Sequence, residues 1–446
     1  MARLFGTDGI RGVANVDLKP TLAYALGRAT AHLLASGRAP IVLGQDTRRS
    51  GDMLASAIVA GATSMGVDVH RAGVLPTPAL AHLAGTGNFA AGIVVSASHN
   101  PADDNGLKVL DHRGIKLDDA LEDELDTLIW RADELTGPTN AGIGREVDAR
   151  DLLERYVAHR VGLAQRSRND LRVVVDCANG SGCPVAERIL AASGASVGAI
   201  HDDPDGVNIN QDCGATHPES LAARVAETGA DVGFALDGDA DRCVAVDERG
   251  RVVDGDRLIG LIALDRMERG ALASGTVVVS VLSNGGLETA VQRAGGRIVR
   301  TPVGDKYILD AMLVSGAGLG GEKSGHVIVA EHTHAGDGIV TALEVLGILA
   351  RRGRSLSDLA DAIPLYPQQQ RSVRVRHKDQ WDADPVLVAA IRAAEAELSE
   401  GGRVLVRPSG TEPVLRIMVE GEYEGHVSTL ADQLAVLAEE RLNQPA

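Results

Sequence analysis

Through most of its length the chain alternates short aliphatic runs with alanine- and leucine-rich stretches of helical spacing. That alternation restricts the fold more than any other feature. Ile41-Val42-Leu43 is followed by a helical stretch over 53–65 and then by Val67-Asp68-Val69-His70. The run 171–176 leads through Asn179-Gly180-Ser181-Gly182 into helical Ala186-Glu187-Arg188-Ile189-Leu190. Val277-Val278-Val279-Ser280-Val281 leads likewise into a helix over about 287–294. Apolar strands separated by helices need helices over their sheet faces, which is α/β architecture. Ligands of such sheets gather at the carboxyl ends of the strands. At 446 residues the chain is too long for one core, so three or four domains are expected. Those cores are aliphatic, because aromatic residues make up only 2% of the chain.

Domain boundaries are expected at charged or proline-rich turns, giving 1–150, 151–252, 253–367 and 368–446. The stretch 145–154 is charged, Glu248-Arg249-Gly250-Arg251 marks a turn, and Pro364-Leu365-Tyr366-Pro367-Gln368-Gln369-Gln370 breaks both periodicities and reads as a linker. Beyond it, Ser372-Val373-Arg374-Val375, a helix over about 385–398, two strands at 403–406 and 414–419 and a last helix form a smaller α+β tail domain. The net charge of −17 excludes a general nucleic-acid binder, although a local arginine cluster can still hold an anion. The opening Met1-Ala2-Arg3-Leu4-Phe5-Gly6-Thr7-Asp8 has no apolar signal-peptide core, and no run is long enough to span a bilayer. Cys177, Cys183, Cys213 and Cys243 lack close pairing and read as small buried residues of a reducing compartment. A cytoplasmic protein with neither nucleic-acid nor membrane partner is expected.

Four loops carry chemistry. Ser96-Ala97-Ser98-His99-Asn100-Pro101 follows the strand-like Ala90-Ala91-Gly92-Ile93-Val94-Val95, which puts Ser98 on a rigid strand end with an imidazole beside it and Lys108 close by. Asp237-Gly238-Asp239-Ala240-Asp241-Arg242 follows another strand, and its alternating carboxylates converge on one hard cation. An EF-hand is excluded, because Arg242 stands at the required glycine and strands flank the loop. Gly320-Gly321-Glu322-Lys323-Ser324-Gly325-His326 imitates a P-loop, but Glu322 replaces the necessary glycine and a strand follows. Its carboxylate, hydroxyl and imidazole suit sugar hydroxyls instead. Arg407-Pro408-Ser409-Gly410-Thr411-Glu412-Pro413, with Arg416 on the next strand, has the composition of a phosphate cradle. Phe5-Gly6-Thr7-Asp8-Gly9-Ile10-Arg11-Gly12 and Gly44-Gln45-Asp46-Thr47-Arg48 add Arg and Asp residues in glycine-bounded turns, weak signals singly.

In this order the four motifs resemble those of the α-D-phosphohexomutase superfamily, over the whole chain. The resemblance implies three similar α/β domains with mixed sheets and a smaller C-terminal α+β domain around a central cleft. It implies phosphoserine at Ser98; a magnesium ion, one per subunit, on Ser98, Asp237, Asp239 and Asp241; and Lys108, His99 and His326 as acid/base candidates, with Arg11 and Arg242 at the transferring phosphoryl. Glu322, Ser324 and Lys306 would hold a phosphosugar, and Arg407, Ser409, Gly410, Thr411 and Arg416 its non-reacting phosphate. A sugar 1,6-bisphosphate-type activator and a homodimer also fit the family. The opening segment, the doubled glycine before Glu322 and Ala335-Gly336-Asp337-Gly338 most resemble the bacterial branch that interconverts glucosamine 6-phosphate and glucosamine 1-phosphate for cell-wall precursors. Lys323 departs from the glutamine common there, which keeps mannose- and glucose-phosphate specificities as alternatives. Ser96 stands where relatives often carry threonine.

Overall fold

The computed structural model describes residues 3–443 apart from 7, 36, 38, 165–170, 399–401 and 410–412. The chain divides into two compact units, Met1–Leu282 with Ile298–Asp361, and Ser283–Arg297 with Ala362–Ala446.

The first unit holds three sheets. In the first, β1 (Ile10–Val13), β2 (Ile41–Gln45), β3 (Val69–Val74), β4 (Ala91–Val95), β5 (Asp104–Asp111) and β6 (Glu146–Asp148) lie in the order β1-β5-β4-β2-β3-β6. β2 pairs in parallel with β3 and β4, while β5 returns antiparallel to β4. Every residue of β2 and β4 is buried, as expected of central strands covered on both faces. Helices Pro20–Leu34 and Gly51–Ser64 cross so closely that a Cβ at Gly27 would lie 2.3 Å from the Ile58 carbonyl oxygen, and one at Gly61 2.1 Å from that of Tyr24. Only glycine fits either crossing point. Ile41, Leu43, Ile58, Ile93 and Val95 are sealed in the core beside them, each such side chain contributing about 1.5–3 kcal/mol.

The second sheet orders β7 (Arg172–Asp176), β8 (Ser196–Ile200), β9 (Val232–Leu236), β10 (Cys243–Asp247) and β11 (Val252–Val253) as β11-β10-β9-β7-β8. The third orders β12 (Thr276–Ser280), β13 (Arg297–Thr301), β14 (Leu319–Gly321) and β15 (Val327–Val329) as β13-β12-β14-β15. Both mix parallel and antiparallel pairs, so all three sheets are of the mixed α/β kind.

The second unit is the smaller α+β piece: β16 (Gln368–Arg374), β17 (Arg403–Pro408) and β18 (Val414–Glu420) in the order β16-β18-β17, packed on helices Pro385–Glu397 and Glu424–Leu442. The supposed linker is partly wrong. Gln368, Gln369 and Gln370 are strand residues paired with Glu420, Val419 and Met418. Composition suggested a break, but an antiparallel ladder needs only backbone donors and acceptors, which glutamine supplies as well as valine. Among the described residues, no helix is long and apolar enough to cross a membrane.

Candidate active site

Ser98 follows β4 by three residues and is fully buried. Its φ is +54°, in the left-handed region that serine rarely enters. Ser98 Oγ donates to Asp237 Oδ2 at 2.5 Å, and His99 Nδ1 lies 3.4 Å from the same Oγ.

Asp237, Asp239 and Asp241 sit on the turn after β9. Ala240, between two of them, also has a positive φ of +57°. The three carboxylates are buried, and each offers an oxygen within 4.8 Å of the others. Asp239 Oδ2 accepts from Lys108 Nζ at 2.8 Å and Thr77 Oγ1 at 2.6 Å. Asp239 Oδ1 and Asp241 Oδ1 are buried with no hydrogen-bond partner. Burial, then repulsion from Asp241 and Asp239, raises the Asp237 carboxyl well above the usual range. Burial and Asp239 raise Asp241 as well. Burial would raise Asp239 too, but Lys108 and Thr77 hold it below its ordinary value. Oxygen-only donors, surplus negative charge and two orphaned carboxylate oxygens fit a hard divalent cation.

Cations ring this cluster. Lys108 is buried, 2.8 Å from Asp239 and 3.1 Å from Asp8. Although burial disfavours its charge, Asp239, Asp8 and Asp241 push its pKa above the ordinary lysine value. Arg11 bonds Asn100 Oδ1 at 3.2 Å and pairs with Asp8. Arg242 Nε lies 3.8 Å from Asp241 and 4.0 Å from Asp237. Each of these arginines keeps a buried Nε with no hydrogen-bond partner. His99 is pulled down to about 4 by burial, Arg242 and Arg11, so its imidazole is neutral.

The glycine-bounded loop of Glu322 to His326 joins β14 to β15. Its backbone reaches the aspartate loop through an isolated bridge between Arg242 and His326 and a bond from Cys243 N to Gly325 O at 3.0 Å. Gly325 has φ +93°, and a Cβ there would meet the Cys243 carbonyl oxygen at 2.3 Å. His326 Nε2 stands 3.5 Å from Asp305 and 4.0 Å from Asp241. Glu322 Oε1 accepts from Gly304 N at 3.1 Å, and Ser324 is exposed. A cavity of about 210 Å³, lined in part by Lys116, Asp241, Asp305, Lys306 and His326, adjoins them.

The structure brings Ser98, His99, Lys108, Arg11, Arg242, the three aspartates and His326 together. Lys306 is placed differently from a waiting ligand: its amine binds Asp119 at 2.7 Å and lies 3.6 Å from Glu122. Thr77, Lys116 and Asp305 carried no local signal. They are recruited from distant segments, Thr77 by its hydroxyl bond to Asp239 and Lys116 by pairing with both Asp8 and Asp305. The cysteines among the described residues are free thiols, with Cys213 Sγ grouped within 4.8 Å of Asp176 and His201.

In the second unit, Arg407 and Arg416 are direct partners across the β17–β18 ladder. Burial and the facing Arg416 lower the Arg407 pKa. Ser409 is buried, and Lys378 donates to its carbonyl, adding a third cation that the motif did not predict. Gly410 and Thr411 lie outside the described residues.

Four family models of phosphoglucomutase/phosphomannomutase domains cover the chain: alpha/beta/alpha domain I over 2–136, II over 154–250, III over 254–366 and the C-terminal domain over 372–437. A phosphoglucosamine mutase of Moorella thermoacetica is 51% identical over 424 residues, 94% of this chain and 96% of that protein. One of Desulforudis audaxviator is 47% identical over 449 residues, the whole of both. The crystal structure of a phosphoglucomutase/phosphomannomutase family protein from Burkholderia thailandensis superposes with a TM-score of 0.84 at 29% identity, covering 98% of each chain. An Aspergillus fumigatus N-acetylphosphoglucosamine mutase, in complex with GlcNAc-6P and magnesium, shares the fold at TM-score 0.71 and 21% identity, over 99% of this chain and 96% of that one. With every domain model matched in order and near-half identity over full length, the chain belongs to the phosphoglucomutase/phosphomannomutase family.

Proposed function

We propose that this protein interconverts glucosamine 6-phosphate and glucosamine 1-phosphate through a phosphoserine at Ser98 and a 1,6-bisphosphate intermediate. The observation that carries the mechanism is the buried Ser98 hydroxyl, 2.5 Å from Asp237 at the edge of the three-aspartate cluster. The sugar is supported by the relatives named phosphoglucosamine mutase, at 47–51% identity.

Phospho-Ser98 brings about −1.5 to −2 charges beside these carboxylates. Mg²⁺ on Asp237, Asp239 and Asp241, with the serine phosphate as a further oxygen ligand, would supply the neutralising charge. The spare Nε groups of Arg11 and Arg242 add donors for the moving phosphoryl. In the first transfer the bond from Ser98 Oγ to phosphorus breaks and one forms to the sugar O1. The O1 proton leaves to a base, and Ser98 Oγ gains a proton. His99, beside Oγ, takes up a proton when the phosphoserine's negative charge lies against it, gives that proton to Ser98 Oγ in the first transfer and recovers it in the second. His326, in the sugar loop, takes the proton from the attacking hydroxyl and returns it after the sugar has turned. Lys108 stays charged and steadies the phosphoryl. The intermediate then gives its 6-phosphoryl back to Ser98 and leaves as glucosamine 1-phosphate.

Glu322 and Ser324 hold ring hydroxyls, and Lys306 joins them by exchanging Asp119 for the sugar. Arg407, Ser409, Gly410, Thr411 and Arg416 hold the phosphate at rest; the two facing guanidinium groups supply the repulsion that an anion relieves. A sugar 1,6-bisphosphate recharges enzyme that has lost its phosphoryl. The enzyme works in the cytoplasm, can pair as a homodimer, and needs neither nucleic acid nor membrane. Intact-mass measurement with glucosamine 6-phosphate and Mg²⁺ tests the proposal. A phosphate on Ser98 that exchanges with labelled substrate is expected; full turnover by Ser98→Ala would overturn it.

A further inference from the structure

We propose that Arg48 and Asn210 are positioning residues that clamp the serine loop and fix the direction of Ser98 Oγ, an inference that rests on Ser98 as phosphoryl carrier. The Ser98 carbonyl accepts from Arg48 Nη2 at 3.0 Å and from Asn210 Nδ2 at 2.9 Å. The Asn100 carbonyl accepts from the same two nitrogens, at 2.8 and 3.0 Å. Two carbonyls two residues apart can face one pair of donors only if the chain turns sharply between them. The left-handed φ of Ser98 contributes that turn.

Arg48 is fully committed. Nε binds Asp46 Oδ2 at 2.9 Å, and Nη1 donates to Asp104 O at 2.9 Å and to Pro101 O. With the two Nη2 bonds, all five guanidinium N–H groups are used, four of them on this one loop. Asp46 Oδ2 also accepts from Ser96 Oγ at 2.5 Å, and Ser96 Oγ accepts from Ser98 N at 3.0 Å. The network thus grips Ser98 from both its amide and its carbonyl.

Asn210 arrives from the second sheet's long loop after β8. It has a left-handed φ of +58°, and its own N–H donates to Ala178 O at 2.9 Å. Both amide hydrogens go to the serine loop. The aspartate loop touches the same point: a Cβ on Gly238 would lie 2.6 Å from Ser98 O and 2.8 Å from Asn210 Nδ2. Asn210 therefore sets the serine loop against the loop that carries Asp237. Without it the chain at Ser98 is free to relax to ordinary φ, and Oγ swings away from Asp237.

The test compares Asn210→Ala, Asn210→Ser, Asn210→Asp and Arg48→Lys with the parent enzyme. It reads kcat, KM for glucosamine 6-phosphate, melting temperature and Ser98 phosphorylation by intact mass. Asn210→Ala is expected to lower kcat about 10- to 100-fold with KM within about twofold, because misplacement harms the transfer rather than sugar binding. Asn210→Ser, retaining one donor, falls between. Asn210→Asp falls further, since it aims a carboxylate at two carbonyl oxygens. Arg48→Lys loses comparably, one ammonium being unable to span four carbonyls. A folded Asn210→Ala or Asn210→Ser enzyme with kcat within about twofold of the parent overturns the proposal, as does a rise in KM alone. Ser98→Ala separates the two layers. If it is inactive while the Asn210 variants are normal, only the clamp fails; if it turns over normally, the phosphoserine reading fails.

Discussion

Around Ser98, carboxylates and cations alternate: Lys108 lies between Asp239 and Asp8, Lys116 between Asp8 and Asp305, and Arg242 beside Asp237 and Asp241. At the β17–β18 turn cations neighbour one another instead, with Arg407 and Arg416 facing each other across the ladder and Lys378 donating to the Ser409 carbonyl. Like charges directly opposed in a sheet destabilise it. The first arrangement suits a group that changes partners during a reaction, because donors and acceptors are in place and reorganise little. The second suits an anion that is bound and released, since the ligand itself relieves the repulsion. In the proposed reaction the first region makes and breaks bonds and the second serves as a handle.

Removing the centre of the first region should have the largest effect. Ser98→Ala is expected to lower kcat by about 10³-fold or more and to abolish the exchangeable phosphate in the mass spectrum. The handle should fail differently. Arg416→Ala removes charge-assisted bonds worth about 1.5–3 kcal/mol, raising KM about 10- to 100-fold with kcat largely kept. A collapse of kcat in that variant, with KM unchanged, would erase the distinction between the two regions.

Legibility follows the same division. Ser98 and the three aspartates each lie in one short segment at a strand end, so spacing and residue type were enough to mark them as candidates. The β strands that present them were equally plain, because buried parallel strands read as unbroken aliphatic runs. Thr77, Asp305 and Asn210 left no trace, because they act through contacts across roughly a hundred residues or more: Thr77 binds Asp239, Lys116 reaches Asp305, and Asn210 reaches Ser98. Such pairings are set by how the sheets stack, which no local pattern encodes. Asp46 and Arg48 were visible as residues but not as a network, since four guanidinium bonds to one loop become apparent only when the loop has a shape. Lys306 is a different case: only the family resemblance suggested a role for it, and no motif disclosed its partner Asp119.

Metal binding sharpens the electrostatic contrast. Asp237 and Asp241 are raised by burial and by their acidic neighbours, so a divalent cation displaces protons from them wherever the pH lies below their raised midpoints. Affinity for Mg²⁺ should tighten as pH rises, by up to about tenfold per unit for each proton displaced. Calorimetry in buffers of different ionisation enthalpy measures that release. Affinity independent of pH would mean that both carboxyls are already ionised and that the cations around them compensate more fully than their burial allows.

The smallest effect concerns His99. Its imidazole titrates at about 4 in the folded protein and near 6.5 in an unfolded chain. The unfolded state therefore binds the extra proton first as pH falls. Stability that is complete above about 6.5 declines toward pH 4 and is constant below that. Allowing for solvent screening at the exposed edge of the ring, the loss is about 1 kcal/mol. An NMR titration of the metal-free, unphosphorylated enzyme should place the His99 midpoint near 4, and His99→Asn should flatten the stability curve between these limits. A midpoint at the ordinary histidine value would show that burial, Arg242 and Arg11 do not depress the ring, and would weaken the case for a neutral imidazole beside unphosphorylated Ser98.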